Sequence, residues 1–321
     1  MSNDFRLLMI GAMYENGGNT THRFLDGHPE LFVYPFESQV GTSLVTDYLT
    51  SYVPFKYRWP EFPLAGTVEQ DYELIFDEEM KVRLRTPERS KFKSCGLKLD
   101  EKARAARFAE LMKGKPRTRG NLVEAFFRST FDTWSNFNRS GKEHAYVGYN
   151  PVQVFDTEKI FADFPDAHVV HVVRNPYSGY SDTKKRPYPL PLARYVWTWN
   201  LSQHMALTYA EKYPKNFHIV RFEDIVADMH GTLGKLCKDL GLGWSDTCLA
   251  PTWNGAAMKQ VYPWGTIRVP TPEVNVATMN ELSEGAKAEV TRLSVVMQRI
   301  LGYEKFAASA GKVVRGFSLA A

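Results

Sequence analysis

Residues 167–176 read Ala-His-Val-Val-His-Val-Val-Arg-Asn-Pro, a buried strand that runs directly into a turn. The seven residues before Arg174 are apolar or histidine and mostly β-branched, which is typical of a parallel sheet covered on both faces. Pro176 favours the start of a helix, because proline is well tolerated in a first helical turn. Arg174 therefore lies where a strand gives way to a helix, and its planar guanidinium suits a phosphate group.

A serine follows Arg174 within the next predicted helix. Arg174 and Ser181 could hold one phosphate between a guanidinium and a hydroxyl. The alternative is structural, with the arginine capping the sheet edge and the serine capping a helix. The two residues taken alone leave both interpretations open.

The remaining elements alternate along the chain. Short strands are predicted at 6–13, 31–34, 145–149 and 217–220, and helices at 122–137, 156–164, 192–211, 231–240 and 283–300. This alternation predicts an α/β fold with a mostly parallel central sheet flanked by helices on both faces. Without a repeat or linker, residues 1–321 are interpreted as one domain. Residues 52–120, rich in proline, aromatics and charge, are interpreted as an inserted lid or acceptor-binding segment.

Composition excludes several classes of protein. The chain has 321 residues, 44% hydrophobic and 24% charged, with a formal net charge of +4, which does not indicate a nucleic-acid partner. Its three cysteines are scattered, and no His, Cys or carboxylate cluster has metal-ligand spacing, so no metal is predicted. No signal peptide or membrane-spanning stretch is found, which predicts a cytoplasmic location.

A second phosphate-binding candidate lies near the N-terminus. Residues 10–22 read Ile-Gly-Ala-Met-Tyr-Glu-Asn-Gly-Gly-Asn-Thr-Thr-His, a strand end followed by a glycine pair and a helix start. Free N–H groups and the helix dipole favour an anion there, and glycines let the backbone approach it. A plain turn before a threonine-capped helix is the alternative. A nucleoside-triphosphate P-loop is not indicated, because no lysine follows the glycines.

The two motifs together resemble those of sulfotransferases that use 3′-phosphoadenosine 5′-phosphosulfate (PAPS). Further matching stretches are 25–31, 164–167 and 220–225, and less firmly 262–268, which contains Arg268. The resemblance implies a P-loop-like fold, PAPS as co-substrate and 3′-phosphoadenosine 5′-phosphate (PAP) as product. It implies a hydroxyl or amine acceptor on a small molecule, carbohydrate or lipid. The cofactor-binding residues it implies are Asn16, Gly17, Gly18, Asn19, Thr20, Thr21, Arg174, Ser181 and Arg268.

Three positions depart from the family pattern. Glu15, or Asn16 with a longer loop, occupies the place of the basic residue that begins the phosphosulfate loop. We expect Glu15 to point away from the donor, and His22 or Arg23 to supply the missing charge. Tyr149 replaces the lysine before the family's Asn-Pro turn. Lastly, the family serine often falls one residue after Ser181, where this chain has an aspartate.

Glu37, just past the second strand, is the candidate general base, at the place where sulfotransferases with a glutamate base carry theirs. Proline and aromatic neighbours would raise its pKa by desolvation. The alternative is a carboxylate that caps a helix beginning near Thr42. At the level of function, two other classes stay open: a non-catalytic nucleotide-binding protein of the same fold, and a small-molecule P-loop kinase.

Overall fold

A parallel five-stranded sheet forms the centre of the protein. The computed structural model describes residues 5–258, 271–304 and 306. Within them the strand order is β2-β3-β1-β4-β5, with every neighbouring pair parallel. The strands are β1 (Arg6–Ala12), β2 (Leu31–Val33), β3 (Ala145–Pro151), β4 (His168–Val173) and β5 (Phe217–Arg221), and a separate antiparallel pair joins β6 (Thr252–Trp253) to β7 (Ala256–Ala257).

Helices fill the connections between the strands. In chain order they are α1 (Gly18–Leu25), α2 (Val68–Leu74), α3 (Glu78–Arg85), α4 (Glu101–Leu111), α5 (Arg119–Thr133), α6 (Thr157–Asp163), α7 (Pro176–Thr183), α8 (Leu192–Lys212), α9 (Phe222–Ala227), α10 (Met229–Asp239), α11 (Pro272–Asn280) and α12 (Glu284–Ile300). The strands and the longer helices predicted from the sequence are all present, with ends shifted by a few residues.

Both faces of the sheet are covered. Alternate residues of β1 enter different cores: Leu7 and Met9 pack into one, and Leu8 and Ile10 into the other. The first core is completed by residues of α5, α8 and α12, and the second by residues of α1, α9 and α10. Because side chains alternate across a strand, a strand that is apolar on both sides needs this double cover. The predicted α/β class is confirmed.

The order of the strands in the sheet determines where a ligand site is expected. β1 lies between β3 and β4, so the connections after β1 and β4 depart on opposite sides of the crevice at their carboxyl ends. In open α/β sheets, ligands bind at such a point where the strand order reverses. The loop after β1 and Arg174 after β4 therefore meet at one edge.

Residues 52–120 form helices and loops and contribute no strand to the central sheet. Their attachment is partly ionic: Arg58, fully buried, donates to both carboxylate oxygens of Asp156 at 2.7 and 2.8 Å. Arg104 donates to Asp77 at 2.6 Å, and Tyr34 of the body donates to the same carboxylate at 2.7 Å. Removing one partner of such a buried pair typically costs about 3–5 kcal/mol, because the other charge is left buried and unpaired.

Residues 34–47, which follow β2, form no helix or strand. No helix begins near Thr42, whose hydroxyl instead donates to the carbonyl of Glu61 at 2.5 Å. The alternative role of Glu37 as a helix cap is therefore wrong. Among the described helices, none is long and apolar enough to cross a membrane.

Candidate active site

A cleft of about 660 Å³ opens at the carboxyl ends of β1, β3 and β4. Its walls come from the loop after β1, the start of α1, the strand ends, the end of α7, α11 and part of the inserted segment. The residues that line it are Tyr14, Glu15, Asn16, Gly17, Gly18, Asn19, Thr20, Arg23, Pro35, Phe36, Glu37, Glu79, Lys91, Phe92, Tyr149, Pro151, Arg174, Asp182, Lys185, Arg186, Pro187, Phe222, Thr271, Val274, Asn275 and Thr278.

The loop after β1 ends at a glycine pair that brings α1 close to the strands. Gly17 has φ 87°, in the left-handed region, and a Cβ there would lie 2.3 Å from Phe222 Cδ2. A Cβ on Gly18 would lie 2.7 Å from the ring of Tyr149. α1 begins without a side-chain cap, so its first N–H groups remain available to an anion in the cleft. This is the arrangement predicted for the phosphosulfate loop.

Gly17→Ala should destabilise the protein by at least about 1–2 kcal/mol, the cost of the left-handed conformation for a residue with a Cβ, with the clash against Phe222 added. It should also weaken PAP binding, because the start of α1 must shift. Urea unfolding and calorimetry measure the two effects. Gly285→Ala, at a helical position with open space around the added methyl, is the matched control and should not destabilise. Unchanged stability and affinity in Gly17→Ala would contradict the role of Gly17.

Asn16 joins the loop to the rest of the site. Its Oδ1 accepts hydrogen bonds from the Arg174 backbone N–H at 3.2 Å and from Trp199 Nε1 at 3.1 Å. Its Nδ2 donates to the Tyr195 hydroxyl at 2.9 Å and to the Tyr14 carbonyl at 2.8 Å. Because both ends of the amide are used within the protein, the side chain of Asn16 fixes the geometry of the loop.

The other predicted loop residues divide into two groups. Asn19 and Thr20 line the cleft, and neither side chain has a hydrogen-bond partner among the described residues. Thr21 is fully buried, does not line the cleft, and donates its hydroxyl to the Gly17 carbonyl at 3.0 Å. The helix start thus presents one free hydroxyl and one free amide to a ligand, while Thr21 stabilises the turn.

Arg174 lies in the same cleft and is held on several sides. Its Nε donates to Asn275 Oδ1 at 2.7 Å, and its Nη1 donates to the Glu15 carbonyl at 3.0 Å and to Asp182 at 2.8 Å. The guanidinium also stacks on Phe222, 5.3 Å from the ring centroid. The side chain is therefore aimed into the cleft and its orientation is set by the protein.

A half-buried carboxylate, Glu223, supports Arg174 through hydrogen bonds to its neighbours. Glu223 Oε1 accepts hydrogen bonds from the Asn175 backbone N–H at 3.0 Å and from Asn275 Nδ2 at 2.9 Å. Glu223 Oε2 accepts from Tyr303 at 2.8 Å. Hydrogen bonds thus connect Glu223 through Asn275 to the guanidinium of Arg174. The sequence analysis did not predict this connection, because Asn275 lies on α11, far from Arg174 in the sequence.

Ser181 lies on α7 beyond the cleft. It is buried, does not line the cleft, and donates its hydroxyl to Glu281 at 3.4 Å. Asp182 and Lys185, from the end of α7 and the residues after it, line the cleft instead and form an ion pair at 2.9 Å. The role of Ser181 in holding the 3′-phosphate stays a prediction. Arg268 lies outside the described residues, so its role stays a prediction as well.

Glu37 faces the cleft beside a second carboxylate. Its backbone N–H donates to Glu79 at 3.1 Å, its own carboxylate accepts from Gln39 Nε2 at 3.2 Å, and Lys91 pairs with Glu79. Burial and the charge of Glu79 raise the pKa of Glu37 to about 7, against a smaller opposing effect of Lys91. A carboxyl group that titrates near neutral pH suits proton transfer.

His22 and Tyr149 pack together behind the loop. His22 is fully buried, does not line the cleft, and stacks on Tyr149 at 5.6 Å between ring centroids. Burial and the neighbouring Arg23 hold the pKa of His22 well below its usual range, so the imidazole is neutral at pH 7. His22 therefore cannot supply a positive charge to the loop. Arg23 does line the cleft, with Nη2 donating to the Pro35 carbonyl at 2.8 Å.

Glu15 lines the cleft, and the expectation that its carboxylate points away from the donor stays a prediction. Its backbone has φ 58°, which is uncommon for a residue other than glycine and recurs at functional loops. Its carboxylate lies 3.8 Å from Arg186 Nε, and the Arg186 guanidinium stacks on Tyr14 at 4.8 Å. A cation of the basic run Lys184-Lys185-Arg186 thus lies beside the residue that departs from the family pattern.

One histidine and two cysteines, residue types that commonly bind metals, also come together away from the cleft. His28, Cys237 and Cys248 are buried, and their ligand atoms all lie within 4.8 Å of one another. The sequence analysis did not predict this group. The three residues come together only through the fold, and their spacing in the sequence does not resemble that of a metal site.

Comparison with known proteins agrees with this architecture. A model of the sulfotransferase family matches residues 17–246. The chain belongs to the sulfotransferase family, a family of enzymes, and the resemblance drawn from the sequence is confirmed.

Two curated relatives and one solved structure are similar to the chain. Omega-hydroxy-beta-dihydromenaquinone-9 sulfotransferases of Mycobacterium bovis and Mycobacterium tuberculosis are each 30% identical over 108 residues, which is 29% of this chain and 28% of the relative. The match thus spans little more than a quarter of the length of these relatives. A sulfotransferase domain from the curacin biosynthetic pathway has a TM-score of 0.51 at 14% identity, over 91% of this chain and 96% of that domain. At this identity the likeness supports the fold.

Proposed function

We propose that the protein transfers a sulfonate group from PAPS to a hydroxyl or amine acceptor and releases PAP. The observation that carries the proposal is the cleft itself, in which the uncapped start of α1, Arg174 and Glu37 face one space. Membership of the sulfotransferase family supports the donor. The alternative of a P-loop kinase has no support in the loop, which lacks a lysine after its glycines.

The two ends of the donor would occupy different parts of the cleft. The first N–H groups of α1, with Asn19 and Thr20, would hold the 5′-phosphosulfate, because a helix N-terminus favours an anion. Arg174 would hold the 3′-phosphate through its planar fork. When bound, PAPS supplies an activated sulfonate, and the protein needs to position it and to stabilise the charge that remains on the leaving phosphate.

Glu37 would accept the proton of the attacking acceptor group. A general base typically contributes about 10²–10⁴-fold, and its effect is greatest when its pKa lies near the working pH. Burial and Glu79 place the pKa of Glu37 at about 7, which meets that condition.

Arg186 would replace the basic residue that the family carries at the start of the loop. Its guanidinium stacks on Tyr14 and lies next to Glu15, which occupies the family position. Since a fixed cation beside the leaving group stabilises developing charge, Arg186→Ala should lower kcat about 100-fold while changing PAP affinity much less.

Lys184→Ala is the matched control for Arg186→Ala, because Lys184 is an exposed neighbour that does not line the cleft. Steady-state assay of PAP release measures both variants. Equal losses of kcat in the two, or no loss in Arg186→Ala, would remove Arg186 from the mechanism.

The acceptor is proposed to be a small molecule with an apolar body. Phe36 and Phe92 line the cleft near Glu37, with ring centroids 4.2 Å apart, and Trp253 packs on them at 5.4 and 6.4 Å. An aromatic wall beside a candidate base suits a hydroxyl carried on a hydrophobic skeleton. The named relatives are omega-hydroxy-beta-dihydromenaquinone-9 sulfotransferases, which favours this class of acceptor over a carbohydrate.

Calorimetric titration with PAP in the absence of Mg²⁺ tests the donor, and ATP with Mg²⁺ serves as the comparison ligand. Binding of PAP alone, followed by PAP release from PAPS with a panel of hydroxyl acceptors, would support the proposal. Binding of PAP without turnover on any acceptor would favour a non-catalytic protein of the same fold, the alternative to which Glu15 in the family's basic position points. Preferential binding of ATP with Mg²⁺ would reject PAPS as donor.

A further inference from the structure

A buried group of one imidazole and two thiols lies at the opposite end of α1 from the cleft. His28 follows the C-terminal turn of α1, Cys237 lies on α10, and Cys248 lies in a 3₁₀ turn, Asp246–Leu249. None of the three lines the cleft, and the exposed fractions of the three residues are 2%, 1% and 0%. The mechanism proposed above uses none of them.

The distances are close to those that a zinc ion requires. Ligand nitrogen and sulfur atoms lie about 2.0–2.3 Å from zinc, so in a tetrahedral site they are about 3.4–3.8 Å apart. Here the three candidate atoms all lie within 4.8 Å of one another. Side-chain movements of about 1 Å would therefore bring them to ligand distances.

The imidazole of His28 is already oriented by the backbone. Its Nε2 lies 2.9 Å from the Gly243 carbonyl, which can only accept, so Nε2 carries the proton. Nδ1 then has the lone pair. It accepts a hydrogen bond of 3.2 Å from the Glu30 N–H, which a zinc ion bound to Nδ1 would replace. Metal-bound histidines characteristically donate their other N–H to a carbonyl or carboxylate, which fixes the tautomer in this way.

The surroundings favour a divalent ion. Both cysteines belong to the apolar core that includes Phe24, Leu236 and Leu242. An uncompensated charge is costly in such a place, but two thiolates and one divalent cation are neutral together. Thiolate and imidazole ligands suit zinc among the divalent ions, and a Cys₂His set with a water at the fourth position is an established zinc arrangement.

We propose that His28, Cys237 and Cys248 bind one Zn²⁺ ion, which fastens the end of α1 to α10 and to the turn at 246–249. Binding converts two thiols to thiolates and releases their protons. The ion would stabilise the fold around α1 without contacting the donor or the acceptor. The proposal is independent of the proposed sulfonate transfer, because its tests measure bound metal and unfolding rather than turnover.

The first test is metal analysis of the full chain, purified without a histidine tag under reducing conditions. Stoichiometric zinc is expected in the wild type and its loss in Cys237→Ser and in Cys248→Ser. Cys95→Ser is the matched control, since Cys95 is a buried free cysteine outside the group, and it should retain the zinc. Equal metal content in all four proteins would overturn the assignment.

A second test uses the wild type alone and so does not depend on the folding of variants. Chelator-stripped protein is titrated with Co²⁺, and thiolate-to-cobalt charge-transfer absorption is expected to saturate at one equivalent and to disappear on addition of Zn²⁺. The unfolding temperature should rise with added Zn²⁺. Absence of the charge-transfer band, or a mass that shows a Cys237–Cys248 disulfide in place of bound metal, would overturn the proposal.

Discussion

Arg174→Ala should reduce the affinity for PAP at least about 100-fold. Hydrogen bonds to a charged group contribute about 1.5–3 kcal/mol each, and 1.4 kcal/mol corresponds to a tenfold change in Kd. Nη2, which donates to none of the described residues, can donate two such bonds to the phosphate, so their loss removes at least two factors of ten. The substitution also removes the guanidinium that Asp182 contacts at 2.8 Å and leaves Lys185 as its cationic partner, so less of its negative charge would be balanced beside the incoming anion. Calorimetry with PAP measures the change, and circular dichroism checks that the variant is folded.

Two neighbouring substitutions separate the contact of Arg174 with PAP from a general effect on the cleft. Asp182→Asn keeps Arg174 and removes a negative charge, so it should bind PAP as tightly as the wild type or more tightly. Asn275→Ala removes the acceptor that orients Nε, so it should weaken binding by less than Arg174→Ala does. If all three variants lose the same affinity, or if Arg174→Ala loses none, Arg174 does not hold the phosphate.

The sheet could be read from the sequence because its strands are chemically uniform. β4 is buried along nearly its whole length, and a short β-branched run admits few other structures. β1 follows the same logic. The inserted segment could not be read in this way. Its short helices bury separate apolar residues such as Met80 and Phe108, and buried ion pairs such as Arg58 with Asp156 lie among them, so no sustained hydrophobic period is present.

The candidate site was only partly predictable for a related reason. Gly17, Arg174 and Glu37 lie next to strand ends, where local sequence predicts position. Glu79, Lys91 and Asn275 come from distant elements, and only the packing of those elements places them in the cleft. The role of Ser181 stays a prediction: its spacing from Arg174 fits a phosphate site, and its hydroxyl donates to Glu281 in the structure.

Glu37→Gln should lower kcat by about 10²–10⁴-fold while PAP affinity stays nearly unchanged. Glutamine keeps the size of the side chain and its ability to accept a hydrogen bond from Gln39, but it cannot take a proton. A loss of kcat without a loss of affinity distinguishes a base from a residue that shapes the donor site. Full activity in Glu37→Gln would assign the proton to another group.

The pH profile gives the sharper form of this prediction. A base must be deprotonated, and burial with Glu79 raises the pKa of Glu37 to about 7, so kcat should fall as the pH drops through 7. An ordinary glutamate, with a pKa near 4.3, would stay active to about pH 5. Glu79→Gln removes the neighbouring negative charge, while its amide oxygen can still accept from the Glu37 N–H. The acidic limb of the profile, where kcat falls with falling pH, should therefore move to lower pH.

Lys91→Met should move the same limb in the opposite direction, because the lysine charge lowers the pKa of Glu37. Opposite shifts from two residues of the inserted segment would tie that segment directly to proton transfer at Glu37. A limb that stays in place in both variants would mean that the group titrating near pH 7 is not Glu37, even if Glu37→Gln is inactive. Glu37 would then have to act through binding or positioning of the acceptor rather than as its base.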